Sequence, residues 1–263
     1  MAADWNDLKL RLLSGAWMAL IGIGAIVVGG VWFQILAVFV TTLMVWECWV
    51  MIRGASPTSG ILLAAAVATI LSAQVFGGLQ SYEFLGLFLL VPFIGAALLK
   101  SERITFFIFA LALQIAGNGL VHFRINFELT LLIWLVSIVV LTDIVGYFVG
   151  RSFGGPKFWP ALSPKKTWSG TIGGWIGAAI VGIVFVIFFN AGWMVILLSI
   201  LVSFAGQMGD IAESALKRRQ GVKDSSTLIP GHGGLLDRFD ALLGASLFML
   251  LLISLFDVTS VAF

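Results

Sequence analysis

The chain alternates between long apolar runs and short polar breaks. Nine runs come close to the roughly 20 residues, with about 17 as a lower limit, that a helix needs to cross the hydrocarbon core of a bilayer. They lie at about 11–29, 31–52, 59–76, 83–99, 104–121, 129–149, 170–189, 192–208 and 238–257. The third run, which contains Gln74, and the short eighth run are the weakest. The pattern predicts an all-α, polytopic integral membrane protein with about nine transmembrane helices.

Composition agrees with a lipid environment. Hydrophobic residues make up 60% of the 263 positions, charged residues only 11%, and the mean hydropathy is +1.09. The first run follows Lys9 and Arg11 without a small-residue cleavage site, so it is interpreted as a first transmembrane helix and not as a signal peptide. The net charge of +2 is too small to indicate a partner, and nothing suggests a nucleic acid. The single Cys48, inside an apolar run, is interpreted as a small hydrophobic residue.

Basic residues are distributed unevenly between the two sides of this nine-span topology. If the N-terminus is cytoplasmic, 14 of the 15 basic residues fall on the cytoplasmic side, and only Arg124 falls on the other. This is a strong positive-inside bias, and one helix more or fewer would spoil it. The charge pattern therefore predicts a cytoplasmic N-terminus.

Two polar loops interrupt the apolar runs in the second half of the chain. They span 150–169 and 209–237, and together with Arg238 they hold nine of the 15 basic residues. We expect residues 1–128 to be N-terminal transmembrane helices and residues 129–263 to be a catalytic transmembrane region that carries both loops.

The first loop and its flanks offer one carboxylate and several groups that suit an anion. Asp143 either ends the sixth helix as an interfacial residue or lies at the mouth of a polar cleft, before the glycine-flanked turn "GRSFGG". In "LSPKKTWSGT", Thr167 or Ser169 could cap the seventh helix, whose first amides favour a phosphate. Lys165 and Lys166 would add positive charge, or they simply anchor the helix on the cytoplasmic side.

The second loop begins with carboxylates at helical spacing. Asp210 and Glu213 are three residues apart, and Lys217 continues the same helical face. Two carboxylates at the lipid boundary are unfavourable unless a cation neutralises them, and Mg²⁺ is the natural candidate because it takes oxygen ligands shared with substrate phosphates. The alternative is an amphipathic turn exposed to water.

The most polar stretch is "KDSSTLIPGHGGLLDRFDALLG" at 223–244. Its "PGHGG" predicts a compact turn whose amides suit a phosphate, and Asp237 and Asp240 are three residues apart at the start of the ninth helix. His232 alone is more often structural, but Lys223 and Asp224 nearby make it a candidate. One cysteine excludes a typical zinc site, and Walker A and Rossmann motifs are absent from the sequence. Carboxylates, basic residues and an apolar body together suit phosphoryl or nucleotidyl transfer at a membrane surface.

These motifs resemble those of phosphatidate cytidylyltransferases, also called CDP-diacylglycerol synthases. The segment "SALKRRQGVKDSSTLIPGHGGLLDRFD" at 214–240 is similar to the long C-terminal signature of that family. The pieces "DIVGYFVGRSFG", "SPKKTWSG" and "GQMGDIAES" also resemble it, so the likeness covers about residues 140–245 closely. One position departs from the pattern, because many relatives carry Glu where this chain has Ser169.

The resemblance implies that Mg²⁺-dependent transfer converts CTP and phosphatidate to CDP-diacylglycerol and pyrophosphate in phospholipid biosynthesis. The expected catalytic residues are Asp210, Lys223, Asp224, His232, Asp237 and Arg238. The expected substrate-binding residues are Asp143, Arg151, Ser163, Lys165, Lys166, Thr167, Lys217, Arg218, Ser226, Gly233 and Gly234. The expected metal ligands are Asp210, Asp237 and Asp240.

The remaining expectations concern surroundings and rival functions. The protein should lie in the inner membrane of a bacterium, with its active site at the cytoplasmic face. The sequence leaves open whether a second, monovalent cation binds and whether the protein forms a homodimer. Rival enzymes are a polyprenol-type kinase and a cytidylyltransferase for another phospholipid. An ion-coupled transporter would place its carboxylates near the bilayer middle, whereas these cluster at one face. A purely structural membrane protein would need neither paired carboxylates nor the glycine turn.

Overall fold

The computed structural model describes residues 5–54, 57–77 and 82–256, and helices dominate this part of the chain. Its helices are α1 Trp5–Val28, α2 Gly30–Arg53, α3 Pro57–Phe76, α4 Leu90–Leu98, α5 Arg103–Asn126, α6 Glu128–Phe153, α7 Trp168–Phe188, α8 Met194–Arg219 and α9 Leu236–Leu255. A 3₁₀ helix, Tyr82–Leu89, leads into α4. The strands β1 Lys157–Trp159 and β2 Ser163–Thr167 form an antiparallel hairpin.

Seven of the described helices are long and apolar enough to cross a membrane. They include the two weakest predictions, since Thr58–Phe76 and Met194–Arg219 both qualify. Shorter apolar helices at Leu12–Val28 and Gly86–Leu98 correspond to the first and fourth predicted spans. The prediction of an all-α, polytopic integral membrane protein is confirmed.

The fourth predicted span is not a continuous α-helix. It changes from 3₁₀ to α geometry at Leu90, two residues before Pro92. Proline has no N–H, so Pro92 cannot donate to the carbonyl of Phe88 one turn earlier. The Gln114 side chain of α5 donates to that carbonyl instead, at 3.3 Å. A buried glutamine thus satisfies the acceptor that the proline leaves open.

Both predicted polar loops contain more regular structure than expected. The first loop includes the β hairpin, in which Lys157 pairs with Thr167 and Trp159 with Ser163. The second loop is shorter than 209–237, because α8 continues through its polar end to Arg219. The helical spacing of the acidic residues in "GDIAESALK" favours this extension, since it places oppositely charged side chains four residues apart.

The described chain forms two compact units. The N-terminal unit consists of the described residues up to 125 together with 219–239, and the C-terminal unit consists of residues 126–218 and the described residues from 240 to 256. The loop between α8 and α9 therefore groups with the N-terminal helices, although it comes late in the sequence.

Contacts within the N-terminal unit join segments that the nine-span topology places on the same side. Arg53 at the end of α2 donates to Leu98 O at the end of α4, at 2.9 Å. Arg219 pairs with Glu102, at 2.6 Å between Nε and Oε1, and both residues lie in predicted cytoplasmic connections. Arg124, the single basic residue on the opposite side, donates to Ile26 O near the end of α1 at 3.1 Å. That residue thus satisfies a carbonyl of the last turn of α1.

Close helix packing in the C-terminal unit depends on small residues. The helices α6 and α7 approach so closely that a Cβ added at Gly170 would lie 2.8 Å from Gly146 O. Buried polar side chains form hydrogen bonds across neighbouring helices, as between Thr142 and Ser203 at 2.8 Å. Small residues and interhelical hydrogen bonds are typical of transmembrane packing, because lipid provides no hydrophobic drive for association.

Candidate active site

Three aspartates come together in the C-terminal unit, each from a different helix. Asp143 lies on α6, Asp210 on α8 and Asp240 on α9. Each of the three interacts electrostatically with the other two. Three mutually repelling carboxylates on apolar helices are unfavourable unless cations neutralise them. We call these three residues the aspartate cluster.

Glycines allow α8 and α9 to bring two members of the cluster together. A Cβ added at Gly244 would lie 2.9 Å from the Cα and 3.0 Å from the N of Gly209. One added at Gly209 would collide with Asp240 O. Gly209 precedes Asp210 in α8, so the helices touch beside the two carboxylates. The close approach therefore positions Asp210 and Asp240.

Two lysines supply positive charge to the aspartate cluster. Lys166 of β2 forms an ion pair with Asp210, and its charge also acts on Asp143. Lys217 forms an ion pair with buried Glu213, one turn earlier on α8, and its charge acts on Asp240. The shared helical face predicted from the spacing of α8 is confirmed by the Glu213–Lys217 pair.

The hairpin ends in a capped helix. Thr167 Oγ1 accepts from Gly170 N at 3.2 Å and so caps α7. Of the two predicted capping residues, Thr167 and Ser169, the structure therefore selects Thr167. Ser169, at the position where many relatives carry Glu, donates instead to Gly154 O after the end of α6. Ser163 pairs with Trp159 in the hairpin, and Lys165 is exposed. The hydrogen bond from Ser169 to Gly154 O joins the start of α7 to the end of α6, and so holds the two ends of the loop together.

The N-terminal unit contains a second polar centre around Glu47, a residue that sequence reasoning missed. Glu47 lies on α2 and is fully buried. Its Oε1 accepts from Ser226 Oγ at 2.6 Å and Leu235 N at 2.9 Å. Its Oε2 accepts from Leu236 N at 2.7 Å, and the Ser225 hydroxyl lies 3.3 Å away and shares its one hydrogen with Asp237. The signal was available, because a lone Glu in the apolar run "VWECWV" marks a candidate functional residue.

Asp237 holds the glycine turn together. Its Oδ2 accepts from Gly234 N and Ser225 N, both at 2.8 Å, and from Ser225 Oγ at 3.0 Å. Gly233 has a φ of +82°, which glycine adopts without strain. The amides of Gly234, Leu235 and Leu236, which lead into α9 and which a phosphate could have bound, therefore already donate to Asp237 and Glu47. The assignment of Gly233 and Gly234 to a phosphate stays a prediction.

His232 and Arg238 belong to the same turn. The imidazole Nδ1 of His232 lies 2.8 Å from the Ser14 hydroxyl of α1. Arg238 donates to His232 O through Nε at 3.1 Å and a terminal nitrogen at 2.7 Å. Both side chains are thus held by protein partners, and the guanidinium stays exposed. A role for α1 in orienting the histidine was not predicted.

The other predicted residues lie at the surface of their units. Lys223 and Asp224 are exposed in the loop before α9, and Arg218 is exposed near the end of α8. Arg151 donates to the Tyr147 hydroxyl at 2.7 Å on α6, two turns from Asp143. The structure thus groups Asp143, Lys166, Asp210, Lys217 and Asp240 in the C-terminal unit. Residues of the signature from Lys223 to Arg238 belong to the N-terminal unit.

The binding of Mg²⁺ by carboxylates of the aspartate cluster, predicted from the sequence, stays a prediction. Among the described residues, no group of three or more His, Cys, Asp or Glu side chains is arranged to hold a metal ion by itself. Mg²⁺ commonly binds through one or two carboxylates, with water and substrate phosphates completing its shell. Asp210 and Asp240 can supply such a pair. Asp237, the third predicted ligand, uses one oxygen for the glycine turn, and its assignment to the metal stays a prediction.

Fold and site together define a polytopic membrane protein with carboxylates and lysines gathered in its C-terminal unit. A model of the cytidylyltransferase family matches residues 9–256. The chain therefore belongs to the cytidylyltransferase family, as its C-terminal motifs predicted.

Several curated relatives are named phosphatidate cytidylyltransferase. One from Staphylococcus haemolyticus is 35% identical over 246 residues, which cover 89% of this chain and 94% of that relative. One from Brucella abortus is 46% identical over 142 residues, or 52% of this chain and 53% of the relative. One from Bacillus subtilis is 39% identical over 135 residues, half of each chain. In the Brucella match, the chain spans about half the length of the relative.

Proposed function

We propose that the protein transfers the cytidylyl group of CTP to phosphatidate. A phosphate oxygen of phosphatidate attacks the α-phosphorus of CTP, and the bond from that phosphorus to the bridging oxygen of the β-phosphate breaks. CDP-diacylglycerol forms and pyrophosphate leaves. The nucleophile is largely ionised near neutral pH, so the reaction needs charge neutralisation and alignment more than a strong general base.

The observation that carries this proposal is the aspartate cluster with its lysines in a chain of this family. The near-complete match to the Staphylococcus haemolyticus relative, which bears the name of this activity, supports it further. Two anionic substrates must meet at one place, and each adds charge that the protein has to offset. Lys166 and Lys217 provide positive charge beside the carboxylates. Their ion pairs with Asp210 and Glu213 hold the ammonium groups in place before substrate arrives.

We propose Asp210 and Asp240 as residues that hold Mg²⁺, with Asp143 as an additional negative charge. The ion would neutralise phosphate charge and favour departure of pyrophosphate. Asp210 also accepts from Ser214 Oγ at 3.2 Å, and Asp240 from Ala241 N at 2.7 Å. These hydrogen bonds restrict the rotation of both carboxylates.

The setting proposed for this reaction is the inner membrane of a bacterium, with the polar residues at the cytoplasmic face. The positive-inside bias and the bacterial relatives support this orientation. CTP would then arrive from the cytoplasm and phosphatidate from the bilayer. A homodimer, a second monovalent cation and independence from nucleic acids stay predictions.

Labelled CTP tests the reaction directly. The purified protein in detergent receives phosphatidate, Mg²⁺ and CTP labelled at either the α- or the γ-phosphate. Cytidylyl transfer places the α-label in lipid and the γ-label in pyrophosphate, whereas a kinase places the γ-label in lipid. Asp210→Asn serves as the inactive control. Label in lipid from γ-labelled CTP, or none from α-labelled CTP, would refute the proposal.

A further inference from the structure

Glu47 is the only acidic residue of α2, and burial makes its charge unfavourable unless other groups compensate it. Four donors from the protein do so, at 2.6 to 3.3 Å, and the most distant of them, the Ser225 hydroxyl, shares its one hydrogen with Asp237. They bind both carboxylate oxygens, and only the ionised form of glutamate accepts hydrogen bonds at both. The carboxylate is thus committed to the protein and is not exposed to bind a substrate.

All four donors belong to one short segment, which we call the signature loop, residues 225–236. Two of them, Ser225 and Ser226, lie at its beginning, and the amides of Leu235 and Leu236 lie at its end. Glu47 therefore closes the signature loop by binding both of its ends. The same contacts place a carboxylate at the first amides of α9, where negative charge is favourable.

Gly234 of the signature loop packs directly against this carboxylate. A Cβ added at Gly234 would lie 2.5 Å from Glu47 Oε1 and 2.8 Å from its Cδ. It would also collide with Ser225 Oγ. The position thus has no space for a side chain while Glu47 is bound. The glycine, the two serines and the glutamate form one interlocking set of contacts.

We propose that Glu47 is a positioning residue, which holds the signature loop in the conformation that the reaction needs. Closure of the loop fixes the backbone that carries His232 and that leads directly into Asp237 and Arg238 at the start of α9. The glutamate acts through these residues and touches no substrate. The effect on turnover rests on the proposed function, but the effect on the loop does not.

Hydrogen exchange of the purified protein in detergent, read by mass spectrometry, tests the closure without any substrate. Glu47→Gln keeps the shape but replaces one acceptor with an amide donor. We expect exchange at Leu235 and Leu236 to accelerate at least about tenfold, because each amide loses a charge-assisted hydrogen bond. Exchange in the α6–α8 helices should stay within about twofold of the wild type. Unchanged protection at both amides would overturn the proposal.

Two further variants separate positioning from general loss of stability. Gln114→Leu is the matched control, because it removes a buried polar side chain of the same unit that donates to the 3₁₀ helix before α4 and to its own helix. It should lower the melting temperature without faster exchange in the signature loop. Glu47→Asp keeps the charge and should restore part of the protection. If Glu47→Gln does not fold, Ser226→Ala removes a single donor, and unchanged exchange in that variant would overturn the proposal.

Turnover supplies the second measurement. In Glu47→Gln, kcat for CDP-diacylglycerol formation should fall at least about tenfold more than in Gln114→Leu, with partial recovery in Glu47→Asp. An equal fall in Gln114→Leu and Glu47→Gln would contradict positioning. If the wild-type protein forms no CDP-diacylglycerol, the proposed function fails, and hydrogen exchange still decides whether Glu47 closes the loop.

Discussion

Adding one methyl group at Gly244 should separate the two aspartates that α8 and α9 bring together. The new Cβ would lie 2.9 Å from Gly209 Cα, whereas carbon atoms in favourable contact are about 3.5 to 4.0 Å apart. The neighbouring atom is backbone, so it cannot rotate away, and the helices must move by about 0.6 to 1.1 Å. Overpacking of this kind costs about 1 to 3 kcal/mol of stability.

The same movement should have a larger effect on turnover. A displacement of about 1 Å in a catalytic arrangement lowers the rate by about a hundredfold. We therefore expect Gly244→Ala to lower kcat/KM for CDP-diacylglycerol formation about a hundredfold, while the protein still inserts and purifies. The assay is lipid labelling from α-labelled CTP, with the melting temperature recorded in parallel.

Gly24→Ala is the matched control, because a Cβ at that position of α1 meets nothing within 4 Å. It should leave both turnover and melting temperature near those of the wild type. If folded Gly244→Ala retains nearly full activity, close approach of α8 and α9 is not what positions Asp210 and Asp240.

Three further predictions test the charges and the topology. Asp210→Asn should lower turnover by orders of magnitude without loss of the folded protein, measured by the same assay and by the melting temperature, and near-normal activity would remove the residue from the site. Arg238→Ala should lower kcat/KM at least about a hundredfold, as expected for a preorganised charge near a phosphate. The control Lys100→Ala, at an exposed position, should lower kcat/KM less than about tenfold. Equal, mild losses in both variants would indicate that these basic residues only orient helices. Cysteine at Ile125 should react with a membrane-impermeant reagent from outside the cell and cysteine at Thr227 should not, and the reverse pattern would overturn the orientation.

Much of the fold could be predicted because hydropathy alone selects transmembrane helices. The run that contains Gln74 crosses the length threshold despite its polar residue, and the structure buries that side chain. The change from 3₁₀ to α geometry in the fourth run could not be inferred from hydropathy. Pro92 withholds one hydrogen bond there, and the compensating Gln114 lies in the next helix. Local spacing likewise predicted that Glu213 and Lys217 share a helical face, and the structure places them in an ion pair within that helix.

The candidate site was only partly accessible to the same reasoning. Spacing identified Asp210 and Asp240 as candidates, but their meeting depends on a crossing between Gly209 and Gly244 that no local pattern encodes. Glu47 was missed because its partners lie far away along the chain. Asp237 was expected to face a metal, whereas hydrogen bonds from the glycine turn occupy one of its oxygens.

The separation between Glu47 and its partners has a consequence for how the protein is made. The nearest partner, Ser225, follows it by 178 residues. At bacterial and eukaryotic synthesis rates of about 5 to 20 residues per second, this interval is about 9 to 36 s. During that time α2 must enter the membrane with an acidic side chain whose final partners have not left the ribosome. The N-terminal unit therefore cannot be completed during synthesis of its own helices, and a nascent chain that stops before α9 should be a ready substrate for membrane quality control.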